Sequence, residues 1–251
     1  MEAILLGNGA HYYRYYDSLC FQPRIYAVTP YAPGMENRAD VIAVCEPFLL
    51  TQEVLRWIRN TDREPLVLVE KLPAKTVEET RVLLDRLAPL RTVFVHSRRY
   101  TGAPRMLRGN DEILWPNLYS GGMDPVYHTF PNILDFLTQQ SGETVTSADL
   151  RFSSDGKYPG FTAKLKQGPV TVRIVPSGRQ SHVTVNGQAL PWPNYFETYS
   201  ELLRQAFDGR IDREENRSYL LNEMQLVEAF REDYEVWCHE DHGNSPLYHE
   251  S

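Results

Sequence analysis

The sequence predicts an α/β protein in two parts, a parallel-sheet part followed by an α+β part with a mostly antiparallel sheet. Apolar runs alternate with helical patterns through the first hundred residues, and short strands joined by tight turns follow from about residue 149. Two helical patterns then close the sequence. Strands separated by helices are typical of βαβ units, which form parallel sheets, whereas strands joined by tight turns pair antiparallel.

Five short apolar runs in the first part are interpreted as strands. They are Ala3–Leu6, Arg24–Val28, Asp40–Cys45, Leu66–Val69 and Thr92–His96. The segment His11–Leu19 is expected to form a short helix. Thr51 is placed to cap a second helix, and Thr76 with Glu79 has the spacing of a capping box at the start of a third. We therefore expect a first domain over residues 1–100.

The second part is predicted to begin with a long loop over residues 101–127, which are rich in Gly, Pro and Asn. A helix is expected from about Pro131 through Leu137. The predicted strands are Asp149–Ser153, Gly160–Lys166, Val170–Val175 and His182–Val185. Asn186-Gly187 is a hairpin signal. With helices at Leu202–Phe207 and about Asn216–Trp237, we expect a second domain over residues 101–238 and a polar tail over 239–251.

Charge and cysteine content restrict the partners. A net charge of −7 argues against nucleic acid, because phosphate binding requires a basic surface. Three widely separated cysteines form no disulfide framework and fit a reducing compartment. No stretch approaches the roughly 20 apolar residues of a membrane helix, and the first residues resemble a strand more than a signal peptide. We expect a cytoplasmic protein without a membrane or metal site.

Two stretches resemble the Gfo/Idh/MocA (glucose–fructose oxidoreductase / inositol dehydrogenase) family. The first stretch runs through residues 40–60, 65–88 and 92–100 and contains a strand ending in Glu70-Lys71-Leu72-Pro73 and a strand ending in Arg-Arg-Tyr. The second is GGMDPVYHTFPNILDFL, at residues 121–137. The resemblance implies a Rossmann-like nucleotide-binding domain joined to a domain for substrate binding and oligomerisation.

The resemblance also implies a catalytic group. Lys71 matches the family's general acid/base, His128 matches its partner, and Asp124 would orient the histidine. A lysine at the end of a buried strand is partly desolvated, which lowers its pKa towards a useful range. Tyr100 could add a substrate contact. Each residue also has a simpler interpretation: Lys71 where a strand reaches water, His128 on the surface, Asp124 in a turn and Tyr100 in the core.

The implied cofactor is NADP or NAD, with NADP slightly preferred. Gly7, Asn8 and Gly9 would line the phosphate turn, and Pro47 and Glu70 the nicotinamide side. The pattern departs from the dinucleotide fingerprint, because Tyr12 occupies the place of its third glycine and no acidic residue follows the second strand. Arg38 is the nearest candidate for a 2′-phosphate. A helix, a strand and a further helix that the family usually has before Asp40 are missing.

Three hypotheses therefore stand. The first is an NAD(P)-dependent oxidoreductase acting on a small polar substrate such as a sugar, a polyol, or a biosynthetic ketone or imine. The second is a catalytically inactive binding or scaffold subunit that has lost the adenine subsite. The third is an enzyme that keeps the fold without the nucleotide. The C-terminal sheet is expected to form a homodimer under either of the first two.

Overall fold

The computed structural model describes residues 1–100, 105–117, 125–153, 158–176, 182–190 and 194–239. The chain divides into two compact units: a first unit of Met1–Gly102 with Pro193–Leu221, and a second unit of Ala103–Trp192 with Asn222–Ser251. The sequence placed the boundary at residue 100 and all closing helices in the second domain. The difference arises because Tyr199, Leu202 and Leu203 are buried in the core of the first unit.

The first unit is a parallel five-stranded sheet with the strand order β2-β1-β3-β4-β5. The strands are β1 (Glu2–Leu6), β2 (Ala27–Pro30), β3 (Val41–Val44), β4 (Leu66–Glu70) and β5 (Arg91–Val95). The helices are α1 (Ala10–Cys20), α2 (Gln52–Arg59), α3 (Val77–Leu87) and α5 (Tyr195–Phe207). Every residue of β3 and β4 is buried, as expected for inner strands of a parallel sheet. The predicted Rossmann-like sheet is confirmed.

The predicted N-caps form. The Thr51 hydroxyl accepts a hydrogen bond from the Val54 amide at 3.3 Å, and the Thr76 hydroxyl accepts one from the Glu79 amide at 3.1 Å. The Glu79 carboxylate accepts from the Lys75 amide at 3.0 Å, so the reciprocal half of the capping box is shifted by one residue. These bonds satisfy amides that have no partner within their helices, and they fix where α2 and α3 begin.

The connection from β2 to β3 is short and is held against α2. Residues 31–40 contain no helix or strand. They are joined to α2 by the Trp57 indole, which donates to the Met35 carbonyl at 2.8 Å. The Asn37 side-chain amide also donates to the Trp57 and Ile58 carbonyls, both at 3.1 Å. Tyr31 also packs edge-on against Trp57. Among the described residues, nothing extends the sheet beyond β2, as expected from the missing segment.

The second unit has a six-stranded sheet with the order β11-β10-β6-β9-β8-β7. Its strands are β6 (Glu112–Asn117), β7 (Leu150–Phe152), β8 (Gly160–Leu165), β9 (Gly168–Pro176), β10 (Thr184–Val185) and β11 (Gln188–Ala189). Only the β6–β9 pair is parallel, so the sheet is mostly antiparallel, as predicted. The prediction of a continuous loop over residues 101–127 was wrong at β6. Ile113 and Trp115 are buried there, but Pro116 obscures the alternating pattern.

The predicted hairpin turn is confirmed between β10 and β11. Asn186 and Gly187 both have positive φ, at 50° and 76°, which a two-residue hairpin turn of type I′ requires. The Asn186 side chain also bonds outside the turn: its amide donates to the Asp111 carboxylate at 2.8 Å, and its oxygen accepts from the Glu112 amide at 2.9 Å. The turn therefore sets the register of the hairpin and also holds the start of β6.

Helix α4 (Phe130–Ser141) follows a π-helical turn over Pro125–Thr129 and ends at Gly142, whose φ is 75°. Helix α6 (Arg213–His239) passes from the first unit into the second. In the second unit, Phe130 stacks on Phe230 with ring centroids 4.3 Å apart. Among the helices that the structure describes, none is long and apolar enough to cross a membrane. The tail at 240–251 lies outside the described residues.

Asn216 of α6 completes the sheet of the first unit. Its side-chain oxygen accepts from the Phe94 amide at 2.7 Å, and its amide nitrogen donates to the Phe94 carbonyl at 3.0 Å. Phe94 lies on β5, the last strand of the sheet, and Asn216 is only 1% exposed. One buried side chain thus takes the place of a neighbouring strand for one residue of β5.

Replacing Asn216 by Ala is predicted to lower the free energy of unfolding by about 3 kcal/mol, because it leaves a buried backbone donor and acceptor unpaired. Chemical denaturation followed by circular dichroism measures this loss. Asn60→Ala, at an exposed asparagine beyond α2, serves as the control and should change stability by less than about 0.5 kcal/mol. A loss below about 1 kcal/mol for Asn216→Ala would contradict the importance of these bonds.

Candidate functional site

The carboxyl ends of the parallel strands bring the predicted cofactor residues of the first unit to one end of the sheet. Gly7–Gly9 follow β1, Cys45–Pro47 follow β3, and Lys71 follows β4. The chain runs from β1 to β2 on one side of β1 and then crosses to β3 on the other. Such a switch point is where open α/β sheets bind their ligands. This end of the sheet is therefore the candidate site.

The turn after β1 has a backbone suited to a phosphate. Gly7 has a φ of 120°, which favours glycine, and Gly9 is the N-cap of α1. Gly9 provides no side-chain cap, so the amides of the first turn of α1 have no side-chain acceptor at the N-cap. Unpaired amides and the helix dipole together favour an anion at such a position.

A carboxylate of the protein already lies against this turn. A Cβ atom added to Gly7 would be 3.1 Å from Oε2 of Glu46, and one added to Gly9 would be 2.8 Å from Oε1. Glu46 is the second residue after β3, which pairs with β1 in a register that matches Val44 with Leu6. The residues that follow β1 and those that follow β3 therefore lie side by side at the end of the sheet. Glycine at both positions leaves room for the carboxylate of Glu46.

Tyr12 fills the position of the third glycine of the fingerprint. Its ring is half-buried, packs against the hydrophobic core of the first unit and lies parallel to Tyr16 with centroids 6.2 Å apart. Burial raises the pKa of the Tyr12 hydroxyl, with a smaller contribution from Tyr16, so the hydroxyl stays neutral. A glycine there would let α1 approach the strand closely, and a tyrosine occupies that space instead.

Glu70, predicted to line the nicotinamide side, is enclosed by aromatic hydroxyls of the first unit. Its Oε2 atom accepts hydrogen bonds from Tyr15 and Tyr199, both at 3.1 Å. Its Oε1 atom lies 3.5 Å from Nδ1 of His11, and that nitrogen is also 2.9 Å from the Tyr199 hydroxyl. These four side chains form a connected polar cluster, which we call the Glu70 cluster, from α1, β4 and α5.

Burial dominates the protonation of the Glu70 cluster. It raises the pKa of Glu70, although the charge of His11 and the two tyrosine bonds act in the opposite direction. Burial, reinforced by the Glu70 carboxylate, raises the pKa of Tyr15 and of Tyr199 well above the ordinary value. Both phenols therefore remain hydrogen-bond donors. A buried carboxyl with a raised pKa between two phenols can take up or release a proton.

The remaining predicted residues lie in both units. Lys71 is partly exposed directly after β4, and the Lys71–Leu72 peptide is cis. Tyr100 packs against the core of the first unit, and its hydroxyl accepts from Asn216 at 3.3 Å. His128 is exposed in the π-helical turn of the second unit, and Asp124 lies outside the described residues. That Lys71 and His128 converge on one cleft therefore stays a prediction.

The sequence interpretation did not identify Glu46, His11 or Tyr199 as site residues. For Glu46 a signal was present, because an acidic residue immediately after a strand predicted to neighbour the glycine turn should reach that turn. Tyr15 packs edge-on against Tyr199 with ring centroids 5.0 Å apart, so the packing of α1 on α5 brings these side chains together. Tyr199 is 129 residues from Glu70, and no local pattern relates them.

The fold combines a parallel five-stranded sheet in the first unit with a mostly antiparallel six-stranded sheet in the second. The chain has the fold of the Gfo/Idh/MocA dehydrogenases, which confirms the predicted resemblance at the level of the fold. No protein-family model and no curated protein sequence matches the chain.

Three solved structures illustrate the likeness. A putative myo-inositol dehydrogenase from Sinorhizobium meliloti aligns with a TM-score of 0.67 and 12% identity over 94% of this chain and 98% of its own. A Gfo/Idh/MocA family oxidoreductase from Vibrio cholerae aligns at 0.66 and 13% over 96% and 100%. The WlbA dehydrogenase from Thermus thermophilus, solved with NAD and α-ketoglutarate, aligns at 0.58 and 13% over 92% and 94%.

The stability of Glu70→Gln relative to wild type is predicted to increase as the pH rises. A carboxyl whose pKa is raised on folding stabilises the protein fully below its unfolded value of 4.5, and this contribution is lost as the pH rises through the folded value. Glutamine keeps the shape and does not titrate. Denaturation midpoints of both proteins, measured between about pH 4 and about pH 8, should therefore diverge in favour of the variant.

Glu64→Gln is the matched control, because Glu64 is exposed before β4, at the amino end of the sheet. It removes the same charge without touching the Glu70 cluster. A constant difference between wild type and Glu70→Gln across this pH range would mean that the carboxyl is not held protonated by burial.

Proposed function

We propose that the chain is an oxidoreductase that moves a hydride between a nicotinamide nucleotide and a small polar substrate, such as a sugar, a polyol, or a biosynthetic ketone or imine. The observation that carries the proposal is the position of Lys71 in the first unit. It follows the buried strand β4, which only β3 separates from β1 and its glycine turn. A proton-transferring amine and a phosphate turn thus lie at the same end of one sheet.

Lys71 is the proposed general acid/base. It is partly exposed and follows the buried carboxyl of Glu70, so a substrate can reach it while its charge interacts with that carboxyl. Proton transfer by a positioned side chain contributes roughly 100- to 10,000-fold to a reaction rate. His128 as the partner of the amine and Asp124 as the orienting group complete the proposed catalytic set, and the nucleotide supplies or accepts the hydride.

The residues present fit the diphosphate better than the adenosine of the nucleotide. Gly7, Asn8 and Gly9 with the start of α1 would hold the diphosphate, and Pro47 would lie towards the nicotinamide. No acidic residue lies at the end of β2, where one would bind the ribose hydroxyls. Arg38, the candidate for a 2′-phosphate, donates to the Glu36 carboxylate from Nε at 2.9 Å. Titration with NADH and with NADPH distinguishes the two nucleotides.

A second candidate function is a non-catalytic binding or scaffold subunit. The observation that favours it is the short β2–β3 connection of the first unit, since the described part of the chain has no element next to β2 that could surround an adenine. Under either proposal we infer a homodimer that forms through the sheet of the second unit.

Titration with NADH and NADPH, followed by protein fluorescence, tests the first proposal. The chain has four tryptophans, and Trp57 packs against Tyr31, which directly follows β2. We expect saturable quenching with one nucleotide preferred and a dissociation constant below about 1 mM. No binding of either nucleotide at millimolar concentration would remove the oxidoreductase proposal and leave the scaffold.

Lys71→Ala is predicted to reduce turnover of any substrate found by at least about 100-fold. Nucleotide affinity should stay within a few-fold, because the amine acts on the substrate and not on the phosphates. Screening sugars, polyols and keto acids for nucleotide oxidation or reduction provides the assay. Lys75→Ala, four residues later and exposed, should leave both quantities unchanged. Loss of nucleotide binding in Lys71→Ala would indicate a structural lysine.

A further inference from the structure

We propose that Glu46 limits the affinity of the first unit for dinucleotides by placing its own carboxylate at the phosphate turn. This inference rests on the proposed function, because it concerns the same nucleotide site. It assigns an affinity-limiting role to a residue of the turn following β3, outside the glycine motif itself.

The geometry supports competition for one place. The two carboxylate oxygens are divided between the two glycines, with Oε2 against Gly7 and Oε1 against Gly9. A diphosphate that uses the backbone of this turn must approach the same two residues, because glycine is needed where a phosphate comes close to the main chain. The carboxylate and the diphosphate therefore cannot both contact the turn in this arrangement.

The charge of Glu46 adds to this steric effect. Among the residues that the structure describes, no cation forms an ion pair with Glu46, so its negative charge at the turn is not neutralised by a salt bridge. Two like charges about 4 Å apart near a protein surface weaken binding by about 5-fold when fully solvated and by several hundred-fold when partly buried. We expect a penalty of about tenfold or more for a half-buried side chain.

The carboxylate can be displaced because its own anchoring is weak. Glu46 is the N-cap of the short 3-10 turn Pro47–Leu49, but its side chain forms no cap hydrogen bond there. The backbone is held independently, by the Leu49 amide bonding to the Glu46 carbonyl at 3.0 Å. Moving the side chain therefore breaks no described hydrogen bond. The nucleotide would bind loosely and exchange at each turnover, as a substrate does.

Two variants separate charge from bulk. Glu46→Gln keeps the size of the side chain and removes the charge, whereas Glu46→Ser removes both and keeps a residue type suited to an N-cap. Glu64→Gln again controls for the loss of one charge at the amino end of the sheet. NADH and NADPH are titrated against each protein by fluorescence, and thermal unfolding confirms that each variant is folded.

Support for the inference is an affinity at least about tenfold higher in Glu46→Ser than in wild type, an intermediate or equal gain in Glu46→Gln, and a change below about twofold in Glu64→Gln. Binding seen only in the Glu46 variants also supports it and would leave wild type as the scaffold subunit. Equal affinities in wild type and both variants would overturn the inference and keep the oxidoreductase proposal. No binding in any protein would overturn both.

Discussion

The pairing of β1 with β3 is the constraint on which the candidate site depends. Parallel hydrogen bonding matches Leu6 with Val44, and the Cys45 amide then donates to the Leu6 carbonyl at 2.9 Å. Gly7 follows Leu6 and Glu46 follows Cys45, so these two residues leave the sheet as neighbours. A slip of the register by one residue would exchange the faces of every β3 side chain and remove the carboxylate from the turn. The pairing of these buried strands thus stabilises the sheet and also places a negative charge at the turn.

The short connection between β2 and β3 has a similar double effect. Hydrogen bonds from the Trp57 indole to the Met35 carbonyl and from the Asn37 amide to the Trp57 carbonyl hold this loop against α2. The shortened connection is therefore compact without a helix of its own. The same contraction removes the elements that would surround an adenine. The first unit therefore has a glycine turn whose backbone is suited to phosphates, and its described residues include no secondary structure beyond β2 that would surround an adenine. A dinucleotide would be held mainly by its phosphates and its nicotinamide.

The fold could be predicted from the sequence because its signals are local. Apolar runs identify the strands of the first unit, Thr51 and Thr76 mark where helices begin, and Asn186-Gly187 specifies a turn by its backbone requirement. Strand β6 was missed because Pro116 stands in its pattern and its partner β9 is distant in sequence. The Glu70 cluster was missed for the same reason. Glu70 had been assigned from a motif, whereas its partner Tyr199 is brought to it only by the packing of α5 on the first unit.

The Asn216 side chain also affects what the sheet can recruit. An open strand with free amide and carbonyl groups is a template for strands of other molecules, and natural proteins cover or interrupt such templates. At Phe94 both groups are already engaged by a side chain of α6. An approaching strand would have to break these two buried hydrogen bonds in order to pair with Phe94. This side of β5 is thereby protected at Phe94 against intermolecular sheet extension and the aggregation that follows from it.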